Sequence, residues 1–384
     1  EKDKLKKDFL PSLLATDKVH FYLARHFGFC YGVENAIEIA FKTIEEHPNK
    51  RIFFLSEMIH NPQVNKDLLE KGIQFIFDTE GNKLLNWESI TKDDIVLIPA
   101  FGTTIEIEKM LIEKGMDVVK YNTTCPFVEK VWNRSQQIGN KGYTIIIHGK
   151  PTHEETKATF SHASQNGPAL IIKDIDEAKR LSDFILNMND EAVFLEEFKG
   201  RYSLGFNPKK DLQHIGVVNQ TTMLATETQA ISDFLKSKIK SVFNLSEENL
   251  KNNFADTRDT LCYATNDNQS AVISLLEQEA DLAIVVGGYN SSNTSHLVEL
   301  CEEKLATYYI KDETEIISKN EIRHFNFHKK ELLKTENFLN FEMPIKILIT
   351  SGASCPDNIV EKVIFKIASF FEAEKQLEEA FETY

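Results

Sequence analysis

Three of the five cysteines in this sequence stand where a thiol could do chemistry. Cys30 lies in GFCYGVENAI, Cys125 in NTTCPFVEKV and Cys262 in DTLCYATNDNQSAV. Each follows a loop or a short β-like segment and comes directly before a stretch with helical periodicity. The amides of a helix N-terminus favour the thiolate, which is the form of cysteine that binds soft metals. The positions therefore predict a metal centre built from three thiolates.

These residues alone do not determine which metal would be bound. A zinc ion would need a fourth ligand or a water molecule, whereas a [4Fe–4S] cluster would keep one iron without a protein thiolate and able to bind substrate. Cys301 lies in LVELCEEKL with core-like helical spacing, which indicates a buried structural thiol.

Small hydroxyl and amide residues follow three of the apolar segments and each group opens a helix. The segments are NQTT (219–222), GGYNSSNTS (287–295) and SGASCPD (351–357). For any one of them N-capping of the helix is a sufficient explanation. Three such loops at the carboxyl ends of predicted parallel strands favour a site for a phosphate or another oxyanion. None matches a P-loop or a GxGxxG motif, so a nucleotide is not indicated.

Two histidines and one glutamate follow strands in the same way. His60 lies in EMIHNPQV, and His153 and Glu155 lie in HGKPTHEETKATF. Taken alone, each histidine fits a helix cap or the surface. Beside the hydroxyl loops, two histidines and one glutamate would form a diphosphate clamp with a proton donor.

Length and composition limit the class of protein and the kinds of partner that we expect. The chain has 384 residues, 42% hydrophobic and 27% charged, which is typical of a soluble globular protein of two or three domains. A net charge of −15 argues against nucleic acid or an anionic membrane as the main partner. No apolar run reaches the roughly 18 residues of a membrane span, and the residues from Glu1 onward lack the basic-then-apolar layout expected of a secretory signal. An odd number of scattered cysteines predicts a reduced, cytoplasmic protein.

Strands and helices alternate along almost the whole chain, which predicts an α/β fold with parallel sheets flanked by helices. Buried strands are predicted at 19–23, 52–55, 95–99, 143–147, 169–172, 215–218, 282–286 and 345–349. Helices are predicted at 33–44, 64–71, 105–114, 128–138, 224–239, 268–277, 295–305 and 358–371. Two polar stretches, about 184–213 and about 312–343, are expected to be irregular surface insertions. The ends, 1–17 and 372–384, are expected to be charged helical tails.

These segments, taken in order, resemble the LytB/IspH family of iron–sulfur reductases from about Val19 to about Phe365. The resemblance is carried by GFCYGVENAI, IHNPQV, TCPFVEKV, THEETKAT, NQTT, CYATNDNQSAV, NSSN and GASCPD. It implies three pseudo-threefold-related α/β domains in a trefoil around a central cluster. These would span 18–124, in which strand 18–30 could pair with the third domain, then 125–261 and 262–371.

The resemblance also implies roles for individual residues. Cys30, Cys125 and Cys262 would bind one [4Fe–4S] cluster, and Glu155 with Thr221 would deliver protons. The substrate-binding residues would be His60, His153, Gln220, Ser291, Ser292, Asn293 and Ser354. The implied reaction converts 4-hydroxy-3-methylbut-2-enyl diphosphate to isopentenyl and dimethylallyl diphosphate in the non-mevalonate isoprenoid pathway. Two one-electron transfers would come from an external donor such as ferredoxin or flavodoxin.

The sequence departs from the family at two positions. PAFGTT places Phe101 where the family usually has a histidine of the diphosphate site, and a phenyl ring cannot donate a hydrogen bond to phosphate. Thr103 or Thr104 could compensate. Cys355 stands where the family often has alanine, and we expect a bystander because a fourth thiolate would block the iron that binds substrate.

Two other functions remain compatible with the same residues. A zinc lyase or hydrolase could use the three thiolates, and it would contain no sulfide and no visible colour. A non-catalytic iron–sulfur sensor could have kept the fold and lost activity through Phe101. Retention of Glu155, Thr221 and the loop 290–293 argues against the sensor.

Overall fold

The computed structural model describes residues 8–78, 81–187, 190–255 and 260–382, and the chain divides into two compact units. Unit 1 consists of the described residues within Glu1–Val33, His60–Val64 and Tyr263–Tyr384. Unit 2 consists of those within Glu34–Ile59 and Asn65–Cys262. The division into three domains stays a prediction.

Fourteen α-helices lie within the described ranges. They are α1 (Tyr31–Glu46), α2 (Pro62–Glu70), α3 (Ile105–Glu113), α4 (Pro126–Gly139), α5 (Glu154–Ser164), α6 (Ile175–Asn187), α7 (Glu191–Glu197), α8 (Pro208–Asp211), α9 (Ala225–Val242), α10 (Glu247–Leu250), α11 (Tyr263–Leu275), α12 (Ser292–Glu302), α13 (Asp357–Ser369) and α14 (Glu374–Glu382). Short 3₁₀ turns occur at Trp87–Ser89 and Glu313–Glu315.

Fifteen strands are found in the same ranges. They are β1 (Ser12–Ala15), β2 (Val19–Leu23), β3 (Ile52–Phe54), β4 (Gln74–Phe75), β5 (Ile95–Leu97), β6 (Thr144–His148), β7 (Ala169–Ile172), β8 (Ile215–Asn219), β9 (Phe254–Ala255), β10 (Leu282–Val286), β11 (Thr307–Ile310), β12 (Ile316–Ser318), β13 (Glu321–Asn326), β14 (Glu331–Glu336) and β15 (Ile345–Ser351).

The main sheet of unit 1 has the order β1-β2-β15-β10-β11. Strands β2, β15, β10 and β11 are parallel, with Val19 opposite Ile345, and β1 is an antiparallel edge. Alternate residues of β10 serve opposite faces, because side chains alternate along a strand. Ile284 packs in a core that includes residues of α13 and α14, whereas Val285 packs in one that includes residues of α11 and α12.

Unit 2 contains two parallel sheets, with the orders β4-β3-β5 and β7-β6-β8-β9. In the larger sheet Ile146 packs in a core with residues of α6 and α9, and Ile147 packs in one with residues of α4 and α5. Helices thus cover both faces of this sheet. The predicted class, mixed α/β with parallel sheets flanked by helices, is confirmed.

The predicted strands and helices are all present, with ends that differ by a few residues. Helices α5 to α8 and α10 were not predicted, nor were strands β4, β9 and β11 to β14. Helix α5 (EETKATFSHAS) was missed because its sequence has no apolar stripe. Six of its residues are buried, but all six are small or polar.

The expectation of irregular structure is wrong for both polar stretches, whereas their description as insertions stays a prediction. Residues 184–213 hold the end of α6 with α7 and α8, and Phe194, Phe198 and Phe206 are buried in a core. Residues 312–343 hold the antiparallel sheet β12-β13-β14, where Ile322 is fully buried. In both stretches the few apolar side chains are spaced to meet one another, although the surrounding residues are charged.

The tails also differ from expectation in part. Ser12–Ala15 forms an edge strand rather than a helix, since Leu14 is needed in the core beside β2. The C-terminal helix Glu374–Glu382 is confirmed, and it buries Leu377 completely. Residues 1–7 and 383–384 lie outside the described residues.

Within the described ranges, no helix combines the length and apolar character that crossing a membrane requires.

The aromatic cluster around Phe194 allows the packing of α7 into a core to be tested. Phe194 is fully buried, and its ring lies 5.4 Å from that of Phe206 and 5.0 Å from that of Phe198. Phe194→Ala should lower the free energy of unfolding by about 3–5 kcal/mol, measured by urea denaturation. Its neighbour Val193 is 53% exposed, so Val193→Ala should change that free energy by less than about 0.5 kcal/mol. Equal losses in the two variants would show that α7 packs no core.

Candidate active site

In unit 1 three loops follow the carboxyl ends of the neighbouring parallel strands β2, β15 and β10. Two hydrogen bonds from backbone amides join the segment after β2 to the end of β15 and the loop that follows it. The amide of Cys30 donates to the carbonyl of Ala353 at 3.2 Å, and the amide of Gly28 donates to Ser351 Oγ at 3.1 Å. Gly28 has a φ of +81°, and a Cβ there would lie 1.9 Å from Asp357 Oδ1. The turn before Cys30 therefore requires glycine.

His60 and Ser354 lie together in unit 1. Ser354 Oγ donates to the carbonyl of His60 at 3.2 Å, and Asn61 Nδ2 donates to the carbonyl of Ser354 at 2.8 Å. A Cβ on Gly288 would lie 2.3 Å from the same His60 carbonyl oxygen. The loops after β10 and β15 thus both contact the segment that carries His60.

The polar residues Ser291, Ser292 and Asn293 form the start of α12. Ser291 Oγ accepts from the amide of Thr294 at 3.2 Å and caps the helix. Asn293 Oδ1 accepts from the amide of Ala353 at 2.9 Å, which joins this helix start to the loop after β15. Ser292 Oγ is buried and has no hydrogen-bond partner among the described residues. A buried hydroxyl beside helix-start amides suits an anionic ligand.

In unit 2 the central pair is Glu155 and Thr221. Glu155 lies in the first turn of α5, after β6, and Thr221 lies in the loop after β8. The amide of Thr221 donates to Glu155 Oε1 at 2.5 Å, and its hydroxyl donates to Glu155 Oε2 at 2.9 Å. Glu155 is only 2% exposed.

Burial raises the pKa of Glu155 to about 7, although the two hydrogen bonds from Thr221 act in the opposite direction. Burial also raises the pKa of its neighbour Glu154 to about 7, and the charge of Glu57 adds to the effect while a hydrogen bond to Ser56 opposes it. A carboxyl with a pKa near neutrality can hold and release a proton at physiological pH.

His153 caps α5 with its imidazole. Its Nδ1 accepts from the amide of Glu155 at 3.2 Å, so the neutral ring carries its proton on Nε2. The ring of Phe101 packs edge-on against it, with centroids 5.6 Å apart. These two contacts help to orient the imidazole of His153.

Cys125 and Cys262 also lie in unit 2. Cys125 is the N-cap of α4, and its amide donates to the carbonyl of Ala100 at 3.0 Å. The amide of Cys262 approaches the carbonyl of Thr221 at 3.4 Å, directly before α11. Both therefore lie at helix starts, as does Cys30 before α1.

The five cysteines, all thiols, fall into two groups by burial. Cys30, Cys125 and Cys262 are half-buried, whereas Cys301 and Cys355 are fully buried. Burial raises the pKa of Cys301 and of Cys355 to about 12. The first three are the thiols whose position and access fit a metal ligand.

The predicted site residues thus gather in two sets. Unit 1 holds Cys30, His60, Ser291, Ser292, Asn293 and Ser354, and unit 2 holds Cys125, Cys262, His153, Glu155, Gln220 and Thr221. Among the residues that the structure describes, no group of three or more His, Cys, Asp or Glu side chains is spaced for a metal ion. The ligand set for a cluster is therefore taken up below as a proposal.

Several supporting residues were not predicted. Asn61 caps α2 through the amides of Gln63 and Val64, and the Asn-Pro pair at 61–62 is a recognisable helix start. Thr156 and Thr265 bond to Gln220 and Asn293, and no pattern in the sequence signals those long-range contacts.

Comparison with known proteins places the chain among related sequences. The family model described as LytB protein matches residues 21–368. A 4-hydroxy-3-methylbut-2-enyl diphosphate reductase from a Picosynechococcus species is 40% identical over 355 residues, which is 92% of this chain and 85% of that protein. The protein of the same name from Crocosphaera subtropica is 41% identical over 346 residues, covering 90% and 83%.

Two solved structures share the fold. One, titled as the structure of (E)-4-hydroxy-3-methyl-but-2-enyl diphosphate reductase, aligns with a TM-score of 0.53 and 23% identity, covering 92% of this chain and all of that one. The other, the corresponding reductase from Plasmodium falciparum, aligns with a TM-score of 0.65 and 22% identity, covering 92% and 89%. At these identities the likeness concerns the fold alone.

The burial of Glu155 beside Thr221 predicts that its carboxyl titrates well above the pH range of an exposed glutamate. By infrared spectroscopy, with Glu155→Gln to assign the band, the carboxyl of Glu155 should titrate near pH 7. Thr221→Val removes a hydrogen bond to the charged form, so the pKa of Glu155 should rise by about one further unit. Thr307→Val, on a strand of unit 1, should leave it unchanged. A titration near the ordinary value of 4.5 would contradict the buried position.

Proposed function

Because the chain belongs to the LytB family, we propose that it is the reductase that removes the hydroxyl group of 4-hydroxy-3-methylbut-2-enyl diphosphate. Curated relatives of about 40% identity over most of the chain carry that name. The single observation that carries the proposal is the Glu155 carboxyl, which is buried, bonded to Thr221 and poised to give up a proton near neutral pH.

The reaction balances with two electrons and two protons. The allylic C–O bond breaks, the hydroxyl leaves as water after taking one proton, and the allyl carbon framework takes the two electrons and the second proton. Protonation at one or the other end of that framework gives isopentenyl or dimethylallyl diphosphate. The chain must therefore place a proton donor next to the leaving oxygen and hold the substrate in position through its diphosphate.

Glu155 is the proposed proton donor. In its protonated form it carries the proton that a leaving hydroxyl requires, and Thr221 orients the carboxyl through both oxygens. After donation the two hydrogen bonds stabilise the carboxylate in its buried position. The same pair can be protonated again from solvent at neutral pH because the pKa of Glu155 is about 7.

The diphosphate is assigned to donors in both sets of residues. His153 offers Nε2–H, since its Nδ1 is occupied by the amide of Glu155. In unit 1 the start of α12 offers backbone amides and the Ser292 hydroxyl, with His60, Asn293 and Ser354 beside them. Phosphate oxygens accept hydrogen bonds only, so neutral donors and helix amides suit them.

Cys30, Cys125 and Cys262 are the proposed ligands of an iron–sulfur cluster. Their half-buried thiols at helix starts fit such a group, whereas Cys301 and Cys355 are too deeply buried. When bound, a [4Fe–4S] cluster would supply the two electrons one at a time and offer its fourth iron to the substrate oxygen. The electrons would come from an external one-electron donor, such as a ferredoxin or flavodoxin.

The metal content of the purified chain tests the cluster. Wild type prepared without oxygen should contain about four irons and four sulfides per chain, and Cys125→Ser should lose most of both. Cys301→Ala, which changes a fully buried thiol, should keep both contents even if it lowers the melting temperature. Zinc without sulfide in wild type would overturn the reductase and support a zinc enzyme.

Turnover of the allylic diphosphate with a chemically reduced viologen tests the proton donor. Glu155→Gln keeps the shape of the side chain but removes the acid, so kcat should fall by about 100- to 10,000-fold. In wild type kcat should fall as the pH rises above about 7, because the donor form is then lost. The matched control is Glu154→Gln, a neighbouring glutamate of similar pKa, which should keep most of the activity. Equal loss in both variants would argue against Glu155 as the specific donor.

A further inference from the structure

Gln220 stands between the two elements that carry Glu155 and Thr221. It follows β8 directly, and its amide donates to the carbonyl of His148 at 2.8 Å, which continues the pairing of β6 with β8. Its side chain is fully buried. The loop from β6 to α5 and the loop from β8 to α9 therefore meet at this residue.

The carboxamide of Gln220 makes three hydrogen bonds inside unit 2. Its Oε1 accepts from Thr156 Oγ1 at 3.0 Å and from the amide of Lys150 at 3.1 Å. Its Nε2 donates to Thr222 Oγ1 at 2.7 Å. An amide oxygen has two lone pairs, and both are used here.

Two of these three bonds end beside the proposed catalytic pair. Thr156 is the residue after Glu155 in α5, and Thr222 is the residue after Thr221. Gly149 lets the elements approach, since a Cβ there would lie 2.7 Å from Thr156 Oγ1 and 3.1 Å from Gln220 Cβ. One buried side chain thus ties the start of α5 to the loop that carries Thr221.

We propose that Gln220 is a positioning residue, whose carboxamide holds the start of α5 against the loop after β8 and so fixes the Glu155 carboxyl on Thr221. The inference rests on the proposed function, and it replaces the substrate contact expected for Gln220 from the sequence. The side chain of Gln220 is fully buried, and both its Oε1 and its Nε2 make hydrogen bonds within unit 2, so the carboxamide is already used inside the protein. Hydrogen bonds of 2.5 and 2.9 Å to Thr221 tolerate little displacement of the carboxyl.

Substitutions at Gln220 separate positioning from substrate binding. Gln220→Met keeps the length and removes the amide, so kcat should fall by about 10- to 100-fold while KM stays within about threefold. Gln220→Glu keeps the acceptor for Thr156 and Lys150 but loses the donor to Thr222 and buries a second carboxyl, so its kcat should also fall while KM again stays within about threefold. Iron content should be unchanged in both. A rise in KM with an unchanged kcat would overturn the proposal and restore the substrate contact.

The partner residue Thr156 offers a matched pair that does not depend on how Gln220→Met folds. Thr156→Val removes the hydroxyl that donates to Gln220, whereas Thr156→Ser keeps it. Thr156→Val should lower kcat in the same direction as Gln220→Met, and Thr156→Ser should retain it. Equal behaviour of the two Thr156 variants would contradict the proposal.

The infrared titration of Glu155 gives a readout that needs no turnover. Looser contact with Thr221 weakens the hydrogen bonds to the charged form, so Gln220→Met and Thr156→Val should raise the titration midpoint by about half a unit to one unit. An unchanged midpoint would overturn the positioning role. Wild type that fails to turn over the allylic diphosphate would instead reject the proposed function, and the titration would still decide the role of Gln220.

Discussion

The buried carboxyl of Glu155 imposes a strict physical requirement on the described structure around it. An ionised carboxylate removed from water costs several kcal/mol unless hydrogen bonds replace its hydration. The amide and hydroxyl of Thr221 replace part of that hydration, and the remaining cost of burial raises the pKa of Glu155 to about 7. A stronger set of donors would keep the group ionised, and a weaker set would keep it protonated. The balance is what makes it usable as an acid near neutral pH, and it depends on the placement of α5 relative to the loop after β8.

The parallel sheet of unit 2 provides that placement, and the parallel sheet of unit 1 positions its own polar loops in the same way. Carboxyl ends of parallel strands lie at one edge of a sheet, and the helices that follow present their first amides there. In unit 1 the same arrangement brings Ser354 to the segment of His60 and joins Asn293 to Ala353. The polar loops are therefore bound to one another as well as to the strands. Polar side chains that are held in this way would lose less entropy on binding the proposed diphosphate.

About half of the strands and most helices could be predicted because their signals are local. Apolar runs and helical periodicity do not depend on distant residues, and the residues that follow each strand carry the candidate chemistry. Helix α5 escaped prediction because its buried face is made of small and polar residues such as Thr156. The role of Gln220 depends on the register of β6 against β8, and no local pattern encodes that register. Phe194 was missed for a different reason, because many of the residues around it in the sequence are charged and gave no sign that its side chain is buried in a core.

Phe101 connects these constraints to one of the two positions at which we expect the sequence to depart from its family. A histidine there would add a hydrogen-bond donor for the diphosphate, whereas the phenyl ring packs edge-on against His153. The following Gly102 has a φ of +75°, and a Cβ there would lie 2.5 Å from the ring of Trp132, so the backbone at this turn is closely confined. His153 is consequently held by a ring on one side and by the amide of Glu155 at Nδ1. In this chain Phe101 therefore contributes to the orientation of His153, and a well-oriented Nε2–H would lose less entropy than a mobile one on binding the proposed diphosphate.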